Sequence, residues 1–379
     1  MMQGKQPRKF PVRVLVADDS AFMRTALRRM LESDPDIKVI AMAQDGRNAV
    51  ELCEKHDPDV VTLDLEMPVL NGLQALQRIM QNHPRPVIMV SSLTTEGAET
   101  TLEAFSLGAF DCIPKPMSHA SLDIIQVRED LVAKVKAAFV SRDRFTFAPT
   151  VTAPKKARVP AGPATARPTI ESPQSSSTMP IVCLGCSTGG PAALQQILPA
   201  LPADLPAAIV VVQHMPVGFT GPFARRLNSL CDLRVEEAKA DQVLEPGCVL
   251  IAPAGFHLTF SRKTYSKYSV VLSNVRNGLL HMPSVDVMMN SAAQTFDIPT
   301  IAVILTGMGA DGAQGMKALH SRGAFTIGQD ERTCVVYGMP RACAEMGILD
   351  RTVPLDQVAG EIVKIVPKVS AHAATAKMR

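Results

Sequence analysis

The sequence predicts an α/β protein with two doubly wound parallel-sheet domains. The chain has 379 residues, which is more than a single hydrophobic core usually accommodates. Buried-type apolar runs alternate with segments of helical period in both halves. A stretch rich in Pro, Ala and Ser, with neither period, separates the two halves.

The first half contains five strand-and-helix units. Strands that are apolar on both faces need helices on both faces of the sheet, so this half predicts a flavodoxin-like parallel sheet. The expected strands cover residues 12–18, 37–43, 59–65, 85–92 and 109–116, with a helix after each.

The change of composition between residues 144 and 179 predicts a solvated linker, since Pro at short intervals prevents regular structure. The expected organisation is an N-terminal domain at 1–140, a flexible linker at 141–179 and a C-terminal domain at 180–379. The C-terminal half resumes the alternation and predicts a Rossmann-like domain. Its expected strands are 181–185, 207–212, 248–252, 269–273, 300–305 and 324–328.

Composition argues against several functional classes. The net charge of +3 and the absence of Trp leave neither a basic stripe nor a stacking platform, so no nucleic acid partner is expected. No apolar segment approaches the roughly 18 residues that span a bilayer, so membrane insertion is not expected. Without a signal peptide, the eight cysteines indicate reduced thiols and a cytoplasmic protein. Cys183 and Cys186 form a lone C-x-x-C, which does not favour zinc or redox chemistry.

Polar residues follow four strands of the first half at their carboxyl ends. Asp18, Asp19 and Asp64 would repel one another there unless a cation lies among them, and Mg²⁺ suits such a carboxylate set. Ser91 adds a hydroxyl and Lys115 an ammonium group. Together these groups predict a site for a phosphoryl group. The bond from Lys115 to Pro116 is a candidate cis peptide bond.

The motifs "VLVADDS", "TLDLEMP", "VSS" and "PKP" resemble a response-regulator receiver domain across residues 11–140. The resemblance implies that a histidine kinase phosphorylates Asp64. It implies that Mg²⁺ is bound by Asp18, Asp19, Asp64 and the backbone carbonyl of Glu66.

The same resemblance assigns phosphate sensing to Ser91 and Lys115. Cys112 departs from the receiver pattern, because many receivers carry an aromatic switch residue at that position.

The second half contains a G-x-S-x-G turn at residues 185–189, between a strand and a helix. Such an elbow lifts Ser187 from the end of a strand, and a serine nucleophile needs a neighbouring base. His214 ends the next buried strand, with His257 and His281 as alternatives. Asp311 lies in a glycine-rich loop after a third strand, with Asp286 as the alternative for the group that orients the base. The order Ser, His, Asp differs from that of α/β-hydrolases.

The motifs "GCSTGGPAAL", "QHMP", "APAGFHL", "PSVDVMM" and "ILTGMGADGA" are similar to the catalytic domain of chemotaxis protein-glutamate methylesterases, the CheB family. The resemblance covers 180 to about 365. It implies a Ser187–His214–Asp311 triad and oxyanion-hole amides at Thr188 and Met308, with no cofactor for hydrolysis.

The implied substrates are glutamyl methyl esters, and certain glutamines, on the cytoplasmic helices of chemoreceptors. A phosphorylated receiver is expected to expose the catalytic crevice, which the unphosphorylated receiver covers. Two alternatives stay open. The second domain could act on another ester as a hydrolase or acyltransferase, or it could be a non-catalytic module that binds an anion at "GCSTGG".

Overall fold

The computed structural model describes residues 11–92, 94–115, 121–142, 179–264, 267–276 and 278–376. Most of the predicted linker and the bond from Lys115 to Pro116 lie outside these residues. The described part of the chain contains no helix with the length and apolar character needed to cross a membrane.

The first sheet has five parallel strands in the order β2-β1-β3-β4-β5, which confirms the doubly wound prediction. The strands are β1 (Val12–Ala17), β2 (Ile37–Ala43), β3 (Val60–Asp64), β4 (Val87–Ser91) and β5 (Asp111–Pro114). The helices are α1 (Ala21–Leu31), α2 (Gly46–His56), α3 (Gly72–Asn82), α4 (Thr95–Ser106) and α5 (Ser121–Ser141).

Local sequence starts the first four helices close to the carboxyl edge of this sheet. Ser20, Asp45, Asn71 and Thr94 are the N-caps, and each side chain accepts a hydrogen bond from an amide of the first turn. The strand ends and the loops beside them are therefore fixed in place.

The second sheet has seven parallel strands in the order β14-β13-β12-β6-β7-β9-β8. They are β6 (Ile181–Cys186), β7 (Ala208–Gln213), β8 (Arg234–Glu237), β9 (Cys248–Ile251), β12 (Thr300–Ile304), β13 (Phe325–Gln329) and β14 (Arg351–Val353). The helices are α6 (Gly190–Ile197), α7 (Thr220–Leu230), α8 (Val285–Thr295), α9 (Ala313–Ser321), α10 (Met339–Glu345) and α11 (Leu355–Ala376).

One predicted strand belongs elsewhere. The segment expected at 269–273 is β11 (Tyr268–Ser273), which pairs antiparallel with β10 (His257–Arg262) in a separate hairpin. Only one end of β11 is buried, as suits a ribbon packed on one side. The strands β8, β10 and β14 were not predicted. The first and last of these lie at the sheet edges and are short and polar, so they lack the apolar run typical of a central strand.

The two sheets are joined by packing as well as by the chain. Helix α4 contacts α6 and α7, and one hydrophobic cluster includes Phe105 of α4 with Leu194 and Phe223 of those helices. Val335 and Val336 pack against another cluster, formed by the first sheet with α1 and α5. The first sheet therefore lies against the second sheet's domain at its α4–α5 side.

Candidate active site and phosphorylation site

The three predicted carboxylates meet at the carboxyl edge of the first sheet. Each of Asp18, Asp19 and Asp64 offers an oxygen, and these oxygens lie within 4.8 Å of one another. Burial raises the pKa of Asp18, and it raises the pKa of Asp64 to about 6 against the opposing effect of Lys115. The buried Oδ2 of Asp18 accepts no hydrogen bond within the described residues. Carboxylate oxygens are the ligands that Mg²⁺ prefers, and the raised pKa values show that these buried groups ionise less readily without a cation. The cluster therefore suits Mg²⁺.

Lys115 and Ser91 border this cluster in different ways. Lys115 Nζ lies 2.8 Å from Asp64 Oδ2 and 3.5 Å from Asp18 Oδ2. Although burial acts to lower it, the pKa of Lys115 is raised by its contact with Asp64. The Ser91 hydroxyl instead lies 3.2 Å from the carbonyl oxygens of Ser92 and Gly97. The structure thus places Lys115 on the Asp64 carboxylate and turns the Ser91 hydroxyl towards the start of α4.

The resemblance to receiver domains also singled out Glu66 and Cys112. The Glu66 amide donates to Asp64 Oδ1 at 3.3 Å, so Glu66 borders the acidic cluster. Cys112 is buried in β5, and burial raises the pKa of its thiol to about 12. Cys112 is therefore a small packed side chain and does not act as a swinging ring.

In the second domain, Ser187 follows the last residue of β6. Its amide donates to Thr306 O at 3.0 Å, and its carbonyl accepts from Gly190 N at 2.8 Å. Gly189 caps α6 with φ +80°, a conformation that glycine adopts without strain. A Cβ on Gly189 would approach Val335 Cβ to 2.6 Å, so the turn has no room for a larger residue. The predicted elbow is present.

The loop after β12 approaches Ser187 closely. A Cβ on Gly307 would lie 2.8 Å from Ser187 Cβ and 2.2 Å from Met339 Sδ, so glycine permits this approach. The hydrogen bonds of the described residues leave the amides of Thr188 and Met308 without an acceptor. One of these free N–H groups is therefore in the elbow, directly after Ser187, and the other is in the adjacent loop, directly after Gly307.

His214 and Asp311 are brought together. His214 Nε2 lies 2.8 Å from Asp311 Oδ2. Burial would raise the pKa of Asp311, but the hydrogen bond and charge of His214 hold it well below its usual range. An ionised carboxylate only accepts, so Nε2 donates, and in the neutral form of the imidazole the lone pair is therefore on Nδ1. That Nδ1 is buried and has no hydrogen-bond partner within the described residues.

The N-terminus of α8 fixes the Asp311 carboxylate. The Ser284 hydroxyl donates to Oδ1 at 2.8 Å, and the amides of Val285 and Asp286 donate at 2.7 Å and 2.9 Å. These donors and the helix dipole favour the anion. Asp286, the alternative from sequence, instead accepts from Gly315 N at 2.7 Å near the start of α9. Of the two carboxylates, only Asp311 bonds His214.

The other two histidines also lie near this site. The ring of His281 stacks on that of His214, with centroids 4.0 Å apart and 16° between the planes. Burial, and secondly the neighbouring His214, lowers the pKa of His281 to about 4. Burial likewise lowers the pKa of His257. The stack was not foreseen, because sequence spacing does not indicate which loop folds over a strand end.

Ser187 and His214 are neighbours across two paired strands. Cys186 pairs with Gln213 at the end of the β6–β7 ladder, and His214 N donates to Cys186 O at 3.2 Å. The next residues along the two strands are Ser187 and His214. No hydrogen bond of the Ser187 hydroxyl is found within the described residues, so the pairing of serine with histidine stays a prediction.

The receiver sheet touches the elbow directly. The Thr188 hydroxyl donates to Asp111 Oδ2 at 2.5 Å. Lys134 of α5 lies 3.4 Å from Asp111 Oδ1 and 3.0 Å from Asp130, and it donates to Cys112 O at 2.7 Å. Thr188 is 2% exposed and Ser187 is 9% exposed, so this arrangement leaves the elbow little access to solvent.

A second set of polar contacts between the two domains lies beside the contact of Thr188 with Asp111 and joins α4 to α6 and α7. Arg226 of α7 donates to Ser106 Oγ at 2.7 Å and to Gln195 Oε1 at 2.8 Å, and the Ser106 hydroxyl also bonds Gln195. At the rim, Arg225 lies 3.3 Å from Glu99, with both side chains 61% exposed. Polar contacts thus extend from the elbow to the edge of α4.

Fold and site together define a class of protein: a receiver sheet docked on a second α/β domain that has serine, histidine and aspartate at its strand ends. A family model described as CheB methylesterase matches residues 182–362, and one described as response regulator receiver domain matches residues 14–125. The chain belongs to the CheB methylesterase family.

Relatives match along nearly the whole chain. A protein of Oleidesulfovibrio alaskensis named protein-glutamate methylesterase/protein-glutamine glutaminase 1 is 45% identical over 371 residues, covering 94% of this chain and 100% of that protein. The corresponding protein 2 of Nitratidesulfovibrio vulgaris is 47% identical over 362 residues, covering 93% and 98%. The crystal structure of the Thermotoga maritima CheB methylesterase catalytic domain is 41% identical, with a TM-score of 0.48, covering 50% of this chain and 100% of that one.

Proposed function

We propose that this chain is a phosphorylation-regulated protein-glutamate methylesterase that also deamidates glutamine side chains. Its proposed substrates are methylated glutamates on the cytoplasmic helices of chemoreceptors, which it would meet in the cytoplasm. Its proposed phosphodonor is a chemotaxis histidine kinase. The proposed division is a receiver at 1–140, a linker at 141–179 and a catalytic domain at 180–379. Membership of the family supports the activity, and the bond between His214 and Asp311 beside Ser187 is the structural observation that carries it.

In the proposed reaction, Ser187 attacks the ester carbonyl and His214 Nδ1 takes the hydroxyl proton. Asp311 keeps the proton on Nε2 and stabilises the imidazolium ion that forms. His214 then protonates the departing methoxide, and methanol leaves. Water repeats the two steps on the acyl-enzyme, which releases glutamate and regenerates the Ser187 hydroxyl. A glutamine amide would follow the same course with ammonia as the leaving group.

The proposed oxyanion hole consists of the amides of Thr188 and Met308. Both lack an acceptor within the described residues, and Gly307 lets the second loop approach Ser187. Fixed N–H groups of this kind stabilise the charge that develops on the carbonyl oxygen. The hydrolytic step needs no metal or organic cofactor in this scheme.

The proposed regulatory site is the acidic cluster of the receiver. Asp64 would accept the phosphoryl group, while Asp18, Asp19, Asp64 and the Glu66 carbonyl would hold Mg²⁺, which neutralises phosphoryl oxygens. Lys115 already lies on Asp64, and Ser91 would turn from the start of α4 towards the phosphate. Phosphorylation would then shift the population from the docked receiver to a state in which the elbow is open.

Methanol release from methylated receptor membranes, with and without a small phosphodonor, tests this function. Wild-type protein should release methanol faster when phosphorylated, and Ser187→Ala should release none while still accepting phosphate. Turnover of simple esters with none of the receptors would favour a hydrolase or acyltransferase acting on another substrate. Failure of a serine-directed phosphonate to label Ser187 in the phosphorylated protein would favour a non-catalytic module.

A further inference from the structure

Gln213 is a buried amide side chain that the proposed reaction does not use. It is the last residue of β7 and is 1% exposed. Its Nε2 donates to Ser187 O at 3.0 Å and to His214 O at 2.8 Å, so one nitrogen uses both of its hydrogens. The acceptors are the backbone carbonyls of the proposed nucleophile and the proposed base.

The orientation of this amide is fixed from its other side. Cys186 Sγ lies 3.0 Å from Gln213 Oε1 and can donate only to an oxygen there. A Cβ on Gly190 would lie 1.9 Å from the same Oε1, so the amide fits because residue 190 is a glycine. Reversing the amide would leave the His214 carbonyl without a donor among the described residues, which is costly for a buried group, and would leave the Ser187 carbonyl with Gly190 N as its donor.

The position of Gln213 matters because the strand ladder ends there. The β6–β7 pairing stops at Cys186 and Gln213, and the bond from His214 N to Cys186 O is the last backbone contact of this run. Beyond it, the chain turns into the elbow on one side and into the loop after β7 on the other. The Gln213 amide links these two diverging segments by its two hydrogen bonds.

We propose that Gln213 is a positioning residue that fixes the distance between Ser187 and His214. It acts through their backbones and touches neither the substrate nor the transferred proton. Catalysis by an oriented pair is sensitive to displacements of about 1 Å, which reduce rates by roughly 100-fold. Without the amide, the two segments are free to separate, and Nδ1 of His214 spends less time within reach of the Ser187 hydroxyl. This inference rests on the proposed catalytic roles of both residues.

The test compares Gln213→Met with a control in full-length protein, with a phosphodonor present. Methionine has a similar length but no N–H donor. The control Thr326→Val removes a buried hydroxyl that bonds Ile348 O at 2.7 Å and accepts from Asp350 N at 2.9 Å, in the first half of β13. Both changes leave buried backbone groups unpaired, so both should lower the thermal midpoint.

We expect Gln213→Met to lower kcat for methylated receptors between about 10-fold and 100-fold with KM unchanged. The labelling rate of Ser187 by a serine-directed phosphonate should fall by a similar factor across the pH range. Thr326→Val should keep both rates within about twofold of wild type. A Gln213→Met protein that loses thermal stability like the control but keeps wild-type kcat and labelling would overturn the proposal.

Two further measurements keep the test decisive. If Gln213→Met does not fold, Cys186→Ala removes the donor that orients the amide, so Nε2 spends less time on the two carbonyls. Its labelling rate should fall below that of Cys186→Ser, which retains a donor, and equal rates would refute the proposal. Phosphonate labelling needs no receptor, so it tests Gln213 even if wild-type protein fails to demethylate receptors, a result that would count against the proposed function alone.

Discussion

The Thr188 hydroxyl donates a 2.5 Å hydrogen bond to Oδ2 of Asp111, which joins the residue after the proposed nucleophile to the last strand of the receiver sheet. Both side chains are buried, and Lys134 faces the second carboxylate oxygen at 3.4 Å. A carboxylate at this place ties the docked receiver to the same residue whose amide is proposed to stabilise the oxyanion. Docking therefore places the Asp111 carboxylate on the hydroxyl of a residue that belongs to the proposed oxyanion hole.

We predict that Asp111→Ala raises methanol release by the unphosphorylated protein. A buried hydrogen bond to a charged group contributes about 1.5–3 kcal/mol, so its loss should shift the docking equilibrium by roughly 10-fold to 100-fold towards the open state. The basal rate should rise at least about fivefold, up to the rate of the phosphorylated protein. The measurement is methanol release from methylated receptors without a phosphodonor.

Glu99→Ala is the matched control, since Glu99 is also a receiver carboxylate that faces the catalytic domain. Its pair with Arg225 is 61% exposed on both sides, and such surface pairs contribute about 0–1 kcal/mol. Its basal rate should stay within about threefold of wild type. If both variants behave alike, the contact between Thr188 and Asp111 does not hold the docked state.

We predict that Asp311→Asn lowers kcat by about 1,000-fold to 10,000-fold, because an amide in place of the carboxylate no longer fixes the His214 tautomer. Asp286→Asn is the control, because Asp286 is the other carboxylate near this site and lies in the first turn of α8. It weakens the bond to Gly315 N at the start of α9 but leaves the partner of His214 in place, so kcat should stay within about tenfold. Steady-state kinetics on methylated receptors checks both, and the reverse ranking would make Asp286 the orienting carboxylate.

The sequence was sufficient to predict which side chains lie together where each of them follows the end of a parallel strand. The clustering of Asp18, Asp19 and Asp64 follows from parallel strands ending at a common edge, and the same rule brings His214 beside the elbow. The approach of Asp311 to His214 follows from the order β12-β6-β7, in which the strand before Asp311 and the strand before His214 both adjoin β6. Local motifs and sheet rules therefore predicted that these residues lie together, while their roles stay predictions.

Other features depend on how separate loops and domains pack. The stack of His281 on His214 requires the loop before α8 to fold over β7, and no periodicity indicates that. The role of Asp111 is equally hidden, since a buried aspartate in β5 makes sense only when the elbow of another domain is placed against it. The hairpin of β10 and β11 was mistaken for part of the sheet because its one buried end has the composition of a sheet strand.

We predict that His281→Phe reduces the loss of stability on acidification. The folded state holds the pKa of His281 at about 4, whereas an unfolded chain binds the proton near pH ~6.5. Between these values the unfolded state carries more protons, so stability rises with pH across this window and falls as pH drops towards 4. This group contributes at most on the order of 3 kcal/mol to that loss.

Phenylalanine keeps a ring against His214 but does not titrate. The charged groups around position 281 are His214, Asp311 and, from the receiver, Asp130 and Lys134. Thermal midpoints at pH 7, 5.5 and 4.5 should fall less in His281→Phe than in wild type. His320→Gln, a change at a side chain 39% exposed, should follow the wild-type curve. Parallel curves for wild type and His281→Phe would show that burial of His281 has no influence on acid stability.

We predict that Asp64→Asn abolishes stimulation by a phosphodonor and leaves the basal rate of methanol release within about twofold of wild type. The asparagine amide is a poor phosphoryl acceptor, and it also removes one of the anions whose oxygens lie within 4.8 Å of one another. Chelation of Mg²⁺ should have the same effect on wild-type protein, because the receiver needs the cation and the proposed hydrolytic step does not. Phosphate incorporation and methanol release are measured on the same samples, so that the phosphorylation site and the hydrolytic site are tested separately. Ser187→Ala should incorporate phosphate without releasing methanol. If chelation instead stops the basal reaction, a metal takes part in hydrolysis and the proposed division of labour between the two sites is wrong.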